Sequence, residues 1–143
     1  MSRHTAREAA MCQVFEKSFG VSRDEMTELL KTDFKFDKGD EEYVTFICDG
    51  VFSHIDTIDG SIQKNALDWS LDRMAKVDLA IMRVAVFEIL YADDIAETVS
   101  INEAVELAKK YSTQQSPQFI NGILDSIYKA KGKSEVMDNG TDN

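Results

Sequence analysis

Residues 77–91 limit the folds open to this chain more than any other stretch. Leu79, Ala80, Ile81, Met82, Val84, Ala85, Val86, Phe87, Ile89 and Leu90 leave almost no polar face. A helix that is apolar all round is either buried in a core or spans a membrane. This one falls short of the roughly 20 residues a bilayer requires, and it carries Asp78, Arg83 and Glu88. It therefore reads as a central core helix that other elements surround. The three charges point in different directions around the axis. At least one must meet packed surface and find a partner there. For Arg83 and Glu88 the expected role is ion pairing to neighbouring helices.

The surrounding elements read as helices too. Residues 5–19 place Ala10, Met11, Val14, Phe15 and Phe19 at spacings of three and four, and Gly20 follows as a stop. Ser22-Arg23-Asp24-Glu25 is a capping box before Met26, Leu29 and Leu30. Residues 33–42 are polar and acidic and read as a loop. Asp40 then caps a helix lined by Tyr43, Val44, Ile47, Val51 and Ile55, and a shorter one spans 57–64 around Ile58 and Ile62. Asp68-Trp69-Ser70-Leu71 reads as a helical turn with Trp69 and Leu71 facing in.

Ser100-Ile101-Asn102-Glu103 is a second capping box. It opens a helix with Ile101, Ala104, Val105, Ala108 and Tyr111 inside and Lys109 and Lys110 near its end. Ser116-Pro117 starts the last helix, since serine caps well and proline fits the first helical position. Gly122 lies within it, at a cost of roughly 1 kcal/mol against alanine, and a close helix crossing would account for that. Beyond Gly132 the periodicity stops. The expected architecture is all-α, about seven helices forming one domain over residues 1–131, with a polar, disordered tail over 132–143. The single proline and seven glycines agree with a helical chain.

Composition excludes several functions. The net charge is 16 − 26 = −10, which argues against a general binder of nucleic acid or anionic membrane but leaves room for a local basic patch. Cys12 and Cys48 are too few and too far apart for a zinc ribbon or a disulfide scaffold and read as buried thiols. Met1-Ser2-Arg3-His4-Thr5 has no apolar core, so no signal peptide and a cytoplasmic location are expected. There is no P-loop, GxGxxG, HExxH or GxSxG motif. His54 reads as a solvated or helix-end histidine, and the acidic run 37–42 as a solvated loop rather than a cation site. No enzyme, cofactor or metal is expected.

The positive features cluster near the N-terminus. Arg3, His4 and Arg7 fall in the first two turns, with Arg3 and Arg7 on one face and Phe15 further along; Lys17, Lys109 and Lys110 extend the basic character. Cations beside an exposed ring suit single-stranded RNA, because phosphates take the charge and bases stack. The alternative is a plain solvated helix start with Phe15 in the core.

Several of these segments resemble the NusB family of transcription antitermination factors. The resemblance is carried by Ile101-Asn102-Glu103-Ala104-Val105-Glu106-Leu107-Ala108-Lys109 with Phe119-Ile120-Asn121-Gly122-Ile123-Leu124-Asp125. Residues 77–90 and Ala6-Arg7-Glu8-Ala9-Ala10 are similar to the family's central and N-terminal helices. The resemblance implies two packed helical bundles, binding of boxA-type single-stranded RNA, and pairing with the ribosomal protein NusE in an antitermination complex on RNA polymerase. It implies that Arg3, His4 and Arg7 lie in the RNA-binding arm, with Phe15, Phe119, Gln115 and Gln118 near RNA and Asp78 facing NusE. It gives Arg7→Glu the expected effect of weakening RNA binding while leaving helicity intact. His4 and Thr5 stand where the family often has arginines, and Ala96 stands near a frequent proline, so weak RNA binding without a basic partner is expected. The competing reading is a helical protein–protein adaptor, or a homodimer, with little RNA affinity of its own.

Overall fold

In a computed structural model the described residues are 3–18, 38–92 and 94–141. They form α1 (Arg3–Lys17), α2 (Lys38–Ser53), α3 (Ile55–Asn65), a 3-10 turn (Leu71–Arg73), α4 (Lys76–Tyr91), α5 (Glu97–Tyr111) and α6 (Ser116–Thr141). No strand occurs among the described residues. The helix expected after Ser22 lies outside them.

The apolar stretch is α4, and it packs against every other described helix. Alpha1 and α2 close on one side of it, and α3, α5 and α6 gather on the other. The fold is thus two small helical bundles sharing one central helix. The largest fully buried side chains draw on both groups, including Val14, Ile47 and Val51 on one side and Ile58, Ile62, Ile120 and Leu124 on the other. Alpha2 and α4 approach closely at Gly50, where a Cβ would run into the Phe87 ring.

The three charges within residues 77–91 all have partners. The Arg83 guanidinium donates from two nitrogens to the two carboxylate oxygens of Asp59 on α3, both at 2.8 Å. Glu88 is 1% exposed and accepts from Arg7 of α1. Asp78 accepts from the turn between α5 and α6. At the far end of α4 the Lys131 ammonium donates to the Ile89 carbonyl at 2.7 Å, which satisfies one of the carbonyls a helix end leaves open.

Several local expectations are corrected. Alpha5 opens at Glu97, not at Ser100, and its N-cap Ala96 makes no side-chain cap bond. The Ser100 hydroxyl is buried and donates to Glu88 instead. Lys38 to Glu42 belong to the first turn of α2 rather than to a loop, because Asp40 and Glu41 there complement the helix dipole. Trp69 is half exposed, since residues 67–70 precede the 3-10 turn and are not helical, and only Leu71 of that pair packs on the core. Gly122 is exposed and no neighbouring atom lies within 4 Å of where its Cβ would be, so no helix crossing explains it. Alpha6 continues past Gly132 to Thr141. A helix already formed extends without a new nucleus, so polar residues can carry it on. Cys48 is buried, with its thiol donating to the Ala10 carbonyl at 3.7 Å, and Cys12 is half-buried.

Candidate nucleic-acid interface

The N-terminal arm is the first turn and a half of α1. Arg3 is exposed, and its guanidinium lies 3.8 Å from the centre of the Tyr43 ring. The His4 imidazole contacts the Glu103 carboxylate of α5. Arg7 is only 5% exposed, and its Nε donates to both oxygens of Glu88, at 2.9 and 3.1 Å. Burial works against the Arg7 cation, but the bonds to Glu88 outweigh it and hold its pKa above the usual arginine value. Burial in turn pushes the Glu88 carboxyl up, opposed by Arg7 and Ser100. The three cationic residues therefore differ in kind. Arg3 is open to a ligand, His4 shares its ring with an acid, and Arg7 is committed to the core.

Both ends of the expected capping box serve this arm. Ser100 donates to the carboxylate that holds Arg7, and Glu103 meets His4. Their positions, three apart, still put them on one face of α5. That face looks across to α1 rather than back to its own helix start.

One turn further along α1, Glu8 reaches the end of α5. Its carboxylate accepts from the Lys110 ammonium at 2.8 Å and from the Tyr111 hydroxyl at 2.5 Å. Burial works to raise the Glu8 carboxyl, but these two bonds outweigh it and hold it below the ordinary glutamate range. Burial and the same bond push the Tyr111 hydroxyl up. Through this contact the arm adjoins the α5–α6 turn, where the second group of candidates sits.

In that turn Gln115 and Gln118 are exposed and Phe119 is half-buried against the core. The turn is held from below by Asp78. Its two oxygens accept from the Ser112 and Ser116 hydroxyls, the latter at 2.9 Å. Asp78 is 6% exposed. It thus fixes where Gln115 and Phe119 stand and offers little surface to a partner. Phe15 is half-buried and packs against the core near the other end of α1.

The structure adds residues to this surface that sequence reasoning missed. Tyr111, on the expected inner stripe of α5, is 39% exposed. Trp69 meets Phe119 edge to face, ring centres 6.1 Å apart. Arg73 is exposed and lines a cleft together with Trp69 and Phe119. The one available signal was that Trp69 sits among Asp68, Ser70 and Asp72, where no apolar periodicity pulls it inward.

A model of the NusB family matches residues 4–129. The chain belongs to the NusB family. Transcription antitermination protein NusB of Ruminiclostridium cellulolyticum is 40% identical over 143 residues, 99% of each chain. The NusB protein of Acetivibrio thermocellus is 43% identical over 132 residues, 92% of this chain and 91% of its own. Among solved structures, T. maritima NusB superimposes with a TM-score of 0.79 at 36% identity, over 90% of this chain and 92% of that one. A structure of antitermination factors NusB and NusE in complex with dsRNA contains a chain with a TM-score of 0.79 at 28% identity, over 91% of this chain and 99% of that one. The NusB family is one of non-enzymatic transcription regulators. No helix among the described residues is long and apolar enough to cross a membrane, and no group of three or more possible metal ligands occurs among them.

Proposed function

We propose that this chain is a transcription antitermination factor that binds boxA-type single-stranded RNA together with NusE and so modifies elongation by RNA polymerase, in the cytoplasm, as in ribosomal RNA operons. The observation that carries the reading is the match of nearly the whole chain to a NusB solved with NusE and dsRNA. The exposed surface agrees with it. Arg3 and His4 stand at one end, Gln115, Gln118 and Phe119 at the other, and the Glu8–Lys110–Tyr111 contact joins them. Arg7 contributes by holding α1 against α4, and Asp78 by holding the turn. Phe15 lends an aromatic edge to the same helix.

Few cations in this surface are uncommitted, and the chain as a whole carries −10. A basic partner would both steer to the acidic chain and bring the phosphate contacts it lacks. RNA affinity is therefore weak for the chain alone and strong with NusE. The test is binding of labelled boxA-like and scrambled RNA, with and without NusE. Preference for boxA that grows with NusE is expected. Equal binding to both sequences in the presence of NusE sinks the reading and leaves the adaptor or homodimer in its place. A sizing measurement at several concentrations separates those two.

A further inference from the structure

The cleft between the 3-10 turn and the start of α6 adjoins the proposed surface at Gln115 and Phe119, but the reading above gives no role to Trp69 and Arg73 on its other wall. It holds about 200 Å³ and is walled by Trp69, Arg73, Met74, Gln115 and Phe119, with Asp78 and Ser116 at its floor. Trp69 is 50% exposed although it is the largest aromatic in the chain. Its backbone is nonetheless held firmly. The Gln63 side chain donates to the Trp69 carbonyl at 2.7 Å and accepts from the Leu71 amide at 3.1 Å, and the Trp69 amide donates to the Ala66 carbonyl at 3.0 Å. A rigid backbone carrying an exposed indole beside a second ring is a preformed stacking platform, and little ordering entropy remains to be lost on binding.

We propose that this cleft is a one-base subsite, in which a single unpaired base of the bound RNA stacks on Trp69 while Arg73 faces its phosphate. The inference rests on the RNA-binding reading given above. Three features favour a base over a peptide side chain. The walls are two flat rings at 71° with an apolar side at Met74. A base has a π-face that stacks on a ring without needing any particular hydrogen bond. Arg73 is exposed at the rim, where a phosphate would pass, whereas the Asp78 carboxylate beneath is occupied by two serine hydroxyls. Gln115, on the same wall, carries both donor and acceptor groups for a base edge.

Trp69 is the single tryptophan of the chain, so its emission reports on this cleft alone. The experiment titrates the full chain, with NusE present, with boxA RNA and follows both tryptophan emission and the anisotropy of the labelled RNA; a tryptophan-free NusE keeps the signal specific. Quenching that tracks the anisotropy curve is expected. A set of RNAs with one abasic nucleotide each should abolish the quenching at one position only. Trp69→Ala should weaken RNA binding between about 5-fold and about 150-fold, the range alanine substitution gives for one stacked base, and Trp69→Phe should retain most of it. Arg73→Gln should lower the salt slope by about 0.7. NusE binding without RNA should be unchanged in each variant. RNA that binds by anisotropy with no change in emission overturns the subsite and leaves the RNA-binding reading standing. Loss of NusE binding in Trp69→Ala overturns it in favour of a protein contact. Absence of boxA binding to the unmodified chain with NusE overturns both readings.

Discussion

Arg7 shows how one residue can be assigned to a surface by its neighbours in sequence and to the core by its neighbours in space. Its charge lies between two others near the N-terminus, which suggests an RNA-binding arm. In the fold it sits against Glu88, and both side chains are almost wholly buried. Removing one member of a buried pair leaves an uncompensated charge, at a cost of about 3–5 kcal/mol. Arg7→Glu places two carboxylates in one buried site, so the outcome is loss of stability, not the intact helicity expected from the sequence. Urea unfolding followed by circular dichroism reads this directly. Arg7→Met combined with Glu88→Leu should recover most of the loss, because replacing both partners by apolar groups is often neutral. A single variant that unfolds at the midpoint of the parent would show that Arg7 is not structural.

At the scale of the element, α6 and the α1–α5 contact each carry a prediction. Gly122 lies inside α6, exposed, with open space around it. Alanine there should stabilise the chain by roughly 0.5–1 kcal/mol, seen as a raised urea midpoint at unchanged slope. Glu8 ties α1 to α5, and its carboxyl titrates below the ordinary range. A lowered folded value means that its contribution is present above the unfolded glutamate value of about 4.3 and is lost as pH falls through the folded value. The difference in Tm between the parent and Glu8→Gln should therefore be constant from about pH 7 to about pH 5 and should close below about pH 4. A difference that grew on acidification would contradict the bond geometry.

At the scale of the molecule the question is how an acidic chain meets an anionic ligand. Each phosphate neutralised on a single strand contributes about 0.7 to the salt slope. With Arg3 exposed, His4 shared with Glu103 and Lys110 shared with Glu8, the chain alone should show a slope of about −1 to −2 for boxA RNA. The complex with NusE should show a distinctly steeper one. Filter binding or anisotropy between low and moderate salt measures both. A slope that NusE leaves unchanged would mean that NusE adds no phosphate contacts.

The sequence by itself determined the helices and the family. Apolar spacing places α1 through α5 and the start of α6, since a helix that must bury one face advertises that face in its periodicity. The all-round apolarity of residues 77–91 determined that one helix would be central and that its charges would need partners. What only the tertiary structure decided is the use of each polar side chain. Ser100 and Glu103 have the spacing of a capping box, yet their side chains bond Glu88 and His4 instead, because the helix has already begun at Glu97. A buried carboxylate gains more from a hydroxyl donor than a solvated helix end does from a cap. Trp69 is the converse: an indole that composition assigns to the core is left outside, because the turn that carries it turns away from the helical register. Local pattern specifies which face is apolar, whereas partner choice depends on residues some 80 to 100 positions apart, such as Arg7 with Glu88 and His4 with Glu103, and sequence spacing carries no trace of those.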